Sequence, residues 1–176
     1  MPKPRLLIVE DECIVAADIA ASLSQMGYEV AGTTDCGETA LAMAKEIPLN
    51  LVLMDIHVRG PMDGIETACV LRERFNLPVV FLSAYGEDDT LQRAKQADSY
   101  GYVLKPFEDR ELRIVIEMAL YKHRSETALR EKLSELERFT KVTVDRELRM
   151  LDLKREINEL LVAAGKPERY RITHES

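Results

Sequence analysis

The chain has 176 residues and a mass of 20.0 kDa, which allows one domain of ordinary size and an appendage. Hydrophobic residues make up 46% and charged residues 31%, as in soluble globular proteins, and the aliphatic runs are too short to span a bilayer. Three widely spaced cysteines, Cys13, Cys36 and Cys69, favour neither a disulfide framework nor a zinc site.

The net charge of −7 is unevenly distributed. Residues 1–107 contain 9 Lys and Arg against 16 Asp and Glu, whereas residues 108–176 contain 15 of each. An acidic surface repels phosphates, so we expect no nucleic-acid partner for the first part. The N-terminus leads directly into a strand-like segment, from which we expect a cytoplasmic protein without a membrane partner.

Short aliphatic segments alternate with amphipathic ones over the first 107 residues. The predicted strands are Leu6–Glu10, Tyr28–Thr33, Leu51–Asp55, Val79–Ser83 and Tyr102–Leu104. The predicted helices between them are Cys13–Met26, Glu38–Ile47, Gly64–Phe75 and Asp88–Ala97. Such alternation predicts an α/β fold with a parallel sheet covered on both faces. Five units of this kind fit a flavodoxin-like, doubly wound sheet with strand order 2-1-3-4-5.

Polar side chains follow the predicted strands at the points where they end. They are Glu10, Asp11, Asp55, Ser83 and Lys105. In a doubly wound sheet the carboxyl ends of these strands are neighbours, so we expect the five side chains to converge. Grouped carboxylates repel one another, and a set of oxygen ligands favours a hard divalent cation such as Mg²⁺. A lysine and a hydroxyl nearby could bind phosphate oxygens, which suits phosphoryl transfer.

Four segments together resemble the response-regulator receiver family of two-component signalling. They are Leu6-Leu7-Ile8-Val9-Glu10-Asp11-Glu12, Leu51-Val52-Leu53-Met54-Asp55, Phe81-Leu82-Ser83-Ala84 and Tyr102-Val103-Leu104-Lys105-Pro106-Phe107. The resemblance implies that Asp55 is the phosphoacceptor and nucleophile, with a sensor histidine kinase as the donor. It also implies that Ser83 hydrogen-bonds the phosphoryl group and that Lys105 pairs with it.

The same resemblance assigns a metal site and a switch. Asp11 and Asp55 would bind Mg²⁺ directly, Glu10 through water, and His57 through its backbone carbonyl. Tyr102 matches the family's aromatic switch, which turns inward when the Ser83 hydroxyl moves toward the phosphoryl group. That movement would signal through the surface formed by the fourth helix, fifth strand and fifth helix.

Two further positions are predicted to tune the lifetime of the phosphoryl group. His57 lies two residues after Asp55, and Tyr85 lies two residues after Ser83. In the receiver family these positions flank the phosphoryl group. Both side chains are bulky here, so we expect slow self-dephosphorylation because they obstruct the attack of water.

The remainder is predicted to be a helical extension. Residues 108–164 contain neither proline nor glycine and have partial heptad spacing. Because the segment 139–145 is rich in β-branched residues and the apolar stripe changes phase there, we predict two helices, 109–139 and 145–164. They would be joined by a bend, giving a hairpin, or by a stutter in one rod. We expect a receiver domain over 1–121, the extension over 122–165 and a flexible tail over 166–176.

The extension leaves the output of the protein open. We favour self-association into a homodimer or docking to a downstream signalling protein, with packing of a hairpin against the receiver as the alternative. A rival function is an RNA-binding output of antiterminator type, against which the balanced charge and the missing helix-turn-helix pattern count. The extension is too short for an added enzyme domain, so we expect no enzymatic activity beyond the protein's own phosphoryl transfer and hydrolysis.

Overall fold

The sheet has the predicted topology. The computed structural model describes residues 3–84, 99–167 and 169–171. The strands are β1 (Arg5–Val9), β2 (Glu29–Thr34), β3 (Leu51–Asp55), β4 (Val79–Ala84) and β5 (Gly101–Lys105). All pair in parallel in the order β2-β1-β3-β4-β5. The predicted α/β fold class is therefore confirmed, with strand bounds that differ only slightly from the prediction.

Helices α1 (Cys13–Gln25), α2 (Gly37–Glu46) and α3 (Gly64–Phe75) connect the first four strands, and a long helix covers Asp109–Ala163. The predicted helix Asp88–Ala97 and the residue Tyr85 lie outside the described residues. Within the described part of the chain, no helix is both long enough and apolar enough to cross a membrane.

The central strands β1, β3 and β4 contribute alternate side chains to two hydrophobic cores, one on either face of the sheet. Leu6 and Ile8 of β1 face the core that contains α1 and the first turns of the long helix. Leu7 and Val9 face the core formed with α2 and α3. Since both faces are covered, the polar ends of the strands are where functional side chains can meet solvent.

The start of α3 is fixed by a capping box. The Asp63 carboxylate accepts a hydrogen bond from the backbone N–H of Glu66 at 2.8 Å, and the Glu66 side chain accepts one from the backbone N–H of Asp63 at 3.2 Å. At Gly64, an added Cβ would collide with the backbone carbonyl of Asp55. The missing side chain therefore allows α3 to begin directly against the end of β3.

The chain divides into two compact units, Met1–Glu126 and Thr127–Ser176. In the first unit, Leu112, Ile116 and Ala119 of the long helix are fully buried in the core. Beside β5, the Tyr100 hydroxyl donates to Glu126 at 2.6 Å, and its ring meets His123 edge-on at 5.5 Å. These contacts hold the helix against the beginning of β5.

In the second unit the helix continues through 139–145, so of the two predicted alternatives the bend with its hairpin is wrong, and one continuous rod is observed. Helix propensities of β-branched residues differ from those of good helix formers by only tenths of a kcal/mol each. In addition, the hydroxyls of Thr140 and Thr143 donate to the carbonyls of Leu136 and Phe139 within the helix. The predicted domain bounds remain predictions.

A buried asparagine holds the segment after the long helix. Gly165, with φ +70, ends the helix, and the chain returns toward Asn158. The Asn158 side chain accepts from the backbone N–H groups of Arg169 and Tyr170 at 3.0 Å and donates to the Tyr170 carbonyl at 2.7 Å. Part of the segment predicted to be a flexible tail thus has defined partners.

Candidate functional site

An ion-paired cluster lies where β1, β3 and β5 end. The Lys105 Nζ atom lies 2.7 Å from Glu10 Oε2 and 2.5 Å from Asp55 Oδ2. Residues separated by 95 and 50 positions in the sequence thus meet at one edge of the sheet. The convergence expected from the strand order is observed for these three side chains.

Asp11 completes an acidic group that could hold a cation. One oxygen each of Glu10, Asp11 and Asp55 lies within 4.8 Å of the others. The Glu10 Oε1 atom is buried and has no hydrogen-bond partner among the residues that the structure describes. A buried carboxylate oxygen without a partner is costly, and a cation with its water ligands would satisfy it. The donors are oxygen atoms only, which fits Mg²⁺.

Burial and neighbouring charges shift the pKa values of Glu10 and Lys105. Burial raises the pKa of Glu10 most strongly, and the Asp55 charge raises it further, although Lys105 opposes both. Burial by itself lowers the pKa of Lys105, but the hydrogen bonds and negative charges of Asp55 and Glu10 outweigh it and raise that pKa overall. Lys105 is therefore held as a cation between its two carboxylates.

The loop after β3 orients Asp55. The backbone N–H of His57 donates to Asp55 Oδ1 at 2.8 Å, so each oxygen of the carboxylate has a different partner. The His57 side chain is exposed beside it. Further along this loop, the backbone N–H of Arg59 donates to the Asp35 carbonyl at 2.9 Å, and the Arg59 guanidinium lies 3.3 Å from the Asp35 carboxylate. These contacts fasten the loop to the end of β2.

The contacts between Arg59 and Asp35 were not predicted from the sequence, because neither residue belongs to a motif. Two opposite charges in loops that follow different strands, here β2 and β3, are too common to single out. The backbone bond between the two loops carries no signal in the sequence at all. Because β1 lies between β2 and β3, the strand order alone does not predict this contact either.

The predicted switch residues lie on the two strands beyond β3. Ser83 is buried at the end of β4, next to Leu82, which pairs with Asp55, and its hydroxyl donates to the Ala84 carbonyl at 3.2 Å. The Tyr102 side chain on β5 is 42% exposed. Tyr85, the second residue predicted to tune hydrolysis, lies outside the described residues.

Comparison with known proteins identifies the family. The model of the response regulator receiver domain matches residues 6–117, which is more than half of the chain. The chain belongs to this family. The match contains all of the predicted site residues and ends inside the long helix.

Similar proteins extend the comparison beyond the receiver domain. The transcriptional regulatory protein PdtaR of Mycobacterium tuberculosis is 34% identical over 157 residues, which cover 88% of this chain and 76% of PdtaR. The receiver domain of a modulated diguanylate cyclase from Desulfovibrio desulfuricans superposes with a TM-score of 0.68 at 38% identity, covering 71% of this chain and 99% of that one. A fusion containing residues 181–211 of the yeast Spc42 trimeric coiled coil gives a TM-score of 0.68 at 32% identity, covering 82% and 97%.

Replacing the central cation should destabilise the metal-free protein. We expect Lys105→Met to lower the free energy of unfolding by about 2–4 kcal/mol in EDTA, because two carboxylates are left facing each other without a countercharge. Urea unfolding measures this loss, and adding Mg²⁺ should recover part of it. Lys45→Met, at an exposed position of α2, is the matched control. Equal stability of the two variants would contradict the expectation.

Proposed function

We propose that this protein is a two-component response regulator that accepts a phosphoryl group on Asp55 from the phosphohistidine of a sensor histidine kinase, in the cytoplasm. The proposal rests chiefly on the ion pair of Lys105 with Asp55 and Glu10 at the ends of three strands. Membership of the receiver family supports it. The phosphoryl group is transferred to the protein's own Asp55, so the protein acts as a signalling phosphoacceptor.

In the proposed step, a carboxylate oxygen of Asp55 attacks phosphorus. A P–O bond forms as the P–N bond to the donor imidazole breaks, and the imidazole nitrogen keeps the electron pair. Phosphoryl transfer depends mainly on positioning and charge neutralisation. The His57 backbone N–H positions one carboxylate oxygen, while Lys105 can move from the carboxylate to a phosphoryl oxygen. The Ser83 hydroxyl is proposed to donate to another phosphoryl oxygen.

The proposed cofactor is Mg²⁺. Asp11 and Asp55 would hold it directly, with Glu10 acting through water and His57 through its carbonyl oxygen. When bound, Mg²⁺ would neutralise the negative charge that builds up between the acidic cluster and the incoming phosphoryl group. The unpartnered Glu10 oxygen favours this ligand set over one in which Glu10 is only a partner of Lys105.

We further propose that Ser83 and Tyr102 form the switch. The Ser83 hydroxyl, now bonded to the Ala84 carbonyl, would turn toward the phosphoryl group. The half-exposed Tyr102 ring would then turn inward and change the surface around β5. A local charge would thereby alter a surface available to partners.

Phosphorylation should depend on Asp55 and on the metal. Incubated with acetyl phosphate and Mg²⁺, the wild type should show a phosphorylated band in a phosphate-affinity gel, and Asp55→Asn should show none because it lacks the nucleophilic oxygen. EDTA should abolish the wild-type band. Asp18→Asn, on the exposed side of α1, should behave like the wild type. A band of equal intensity in Asp55→Asn would refute the assignment.

The lifetime of the phosphoryl group should shorten when bulky neighbours are removed. We expect His57→Ala and Tyr85→Ala each to hydrolyse the phosphoryl group several-fold faster, since water reaches phosphorus more easily. The decay of the phosphorylated band after removal of the donor measures the rate. Unchanged lifetimes in both variants would contradict a shielding role.

The proposed output is protein–protein interaction through the long helix, with self-association as the favoured form. Many large apolar side chains of the second unit are exposed, including Leu136, Phe139, Leu153 and Leu160. A helix that cannot bury such residues within its own unit gains stability by pairing with another helix.

Self-association should depend on this helix and respond to phosphorylation. We expect light scattering to give a dimer mass for the full chain, a shift in the monomer–dimer equilibrium with beryllofluoride, and a monomer for a chain ending at Tyr121. The shortened chain loses the exposed apolar residues and so loses its partner surface. Identical masses in all samples would exclude self-association through the helix.

A second candidate output is nucleic-acid binding. It is favoured by the similarity to PdtaR, a transcriptional regulatory protein that aligns with 88% of this chain. The equal numbers of basic and acidic residues in 108–176 argue against it, because binding to phosphates requires a basic surface. An electrophoretic shift of RNA or DNA at low salt would favour this candidate over self-association.

A further inference from the structure

Six large exposed apolar residues of the second unit fit one heptad register that is interrupted only by Thr143 and Arg146, whereas Leu133, Val144, Leu148 and Val162 are exposed outside it. Starting at Leu136, positions spaced alternately by three and four residues are Phe139, Thr143, Arg146, Met150, Leu153, Ile157, Leu160 and Ala164. All of them are exposed, and all but Ala164, which directly follows the last helical residue, lie in the continuous helix. We call these nine residues the seam. Leu133 flanks the seam and does not belong to it.

A parallel, in-register pair of copies would bring like charges together. In such a dimer each seam residue meets its own counterpart, so Arg146 would face Arg146 of the second copy inside the interface. On the flank of the seam, Arg149 would face Lys154 of the second copy, five residues further on. Both contacts are repulsive, and the second is the most direct charged pair between the flanks.

An antiparallel pair removes both conflicts in one register. When Met150 lies opposite Leu153 of the second copy, Arg146 lies opposite Ile157, whose apolar surface can cover the arginine stem. The same register places the large Phe139 ring opposite the small Ala164 side chain. The overlap from Phe139 to Ala164 is about 39 Å long at 1.5 Å per residue.

The flanking charges select this register over its neighbours. Arg149 then faces Glu156 of the second copy, and Glu147 faces Lys154, and two-fold symmetry makes each pair occur twice. Sliding one copy by a heptad in one direction places Arg149 opposite Arg149 and Glu147 opposite Glu147. Sliding it the other way places Glu156 opposite Glu156 and Lys154 opposite Lys154.

We propose that the second unit pairs with a second copy of this chain as an antiparallel coiled coil, centred between Met150 and Leu153. The inference rests on the self-association proposed above and adds its direction and register. The segment held by Asn158 leaves the seam open, since the seam residue beside it, Ile157, remains 38% exposed.

A charge reversal distinguishes the two directions by the sign of its effect. In an antiparallel dimer, Arg149→Glu replaces two attractive pairs with Glu156 by repulsive ones, so we expect association about tenfold weaker at low ionic strength. In a parallel dimer the same change would create an attraction to Lys154 and tighten association. The double variant Arg149→Glu/Glu156→Arg should restore the wild-type affinity only in the antiparallel register. Sedimentation equilibrium of the full-length proteins measures all three affinities.

Arg138→Glu, an equal charge change on the side away from the seam, is the matched control, and circular dichroism verifies helix content in every variant. As a second measurement, Phe139→Cys and Ala164→Cys chains, with the three native cysteines replaced by serine, are mixed and oxidised. Disulfide-linked pairs of unlike variants support the register. Tighter or unchanged binding in Arg149→Glu, failed restoration, or linkage of Phe139→Cys only to itself overturns it while self-association stands. A wild-type chain that stays monomeric overturns both.

Discussion

The site depends on one electrostatic constraint: carboxylates from two strands can share the edge of a sheet only if a cation lies between them. Lys105 supplies that charge at rest, bonded to both Glu10 and Asp55. Because Glu10 follows β1 and the other two residues end β3 and β5, the ion pair also requires these three strand ends to lie close together, as they do in the order 2-1-3-4-5. A sheet with another order would leave Glu10 buried beside Asp55 with nothing to balance it. Fold and chemistry are thus consequences of the same arrangement.

Much of this arrangement could be predicted from the sequence, because short aliphatic runs alternating with amphipathic helices have few solutions. The convergence of Glu10, Asp55 and Lys105 followed from their positions at strand ends. At 139–145 the prediction left a bend or a continuous rod open, and the rod forms because small losses in helix propensity do not outweigh continuous hydrogen bonding. The role of Asn158 could not be predicted, because its partners are backbone groups that every residue except proline provides.

The two units bury their apolar residues in different ways. The first has a core on each face of its sheet, and residues such as Leu53 and Phe81 are fully buried there. The second consists largely of one helix whose apolar side chains remain exposed. A single helix gains little stability from its own hydrogen bonds in water. The stability of the second unit should therefore be coupled to the presence of a partner, and hence to protein concentration.

The hydrogen bonds of Asn158 have a consequence for how this sequence can diverge. The amide recognises two backbone N–H groups and one carbonyl, and none of the three depends on the side chains at 169 and 170. An aspartate at 158 would lose the donor, and a longer glutamine would misplace both ends of the amide. Related sequences that keep this return of the chain should thus retain asparagine at 158 and accept any residue except proline, which lacks the N–H group, at 169 and 170. An invariant asparagine about twelve positions earlier would then identify this segment, even though the residues within the segment vary.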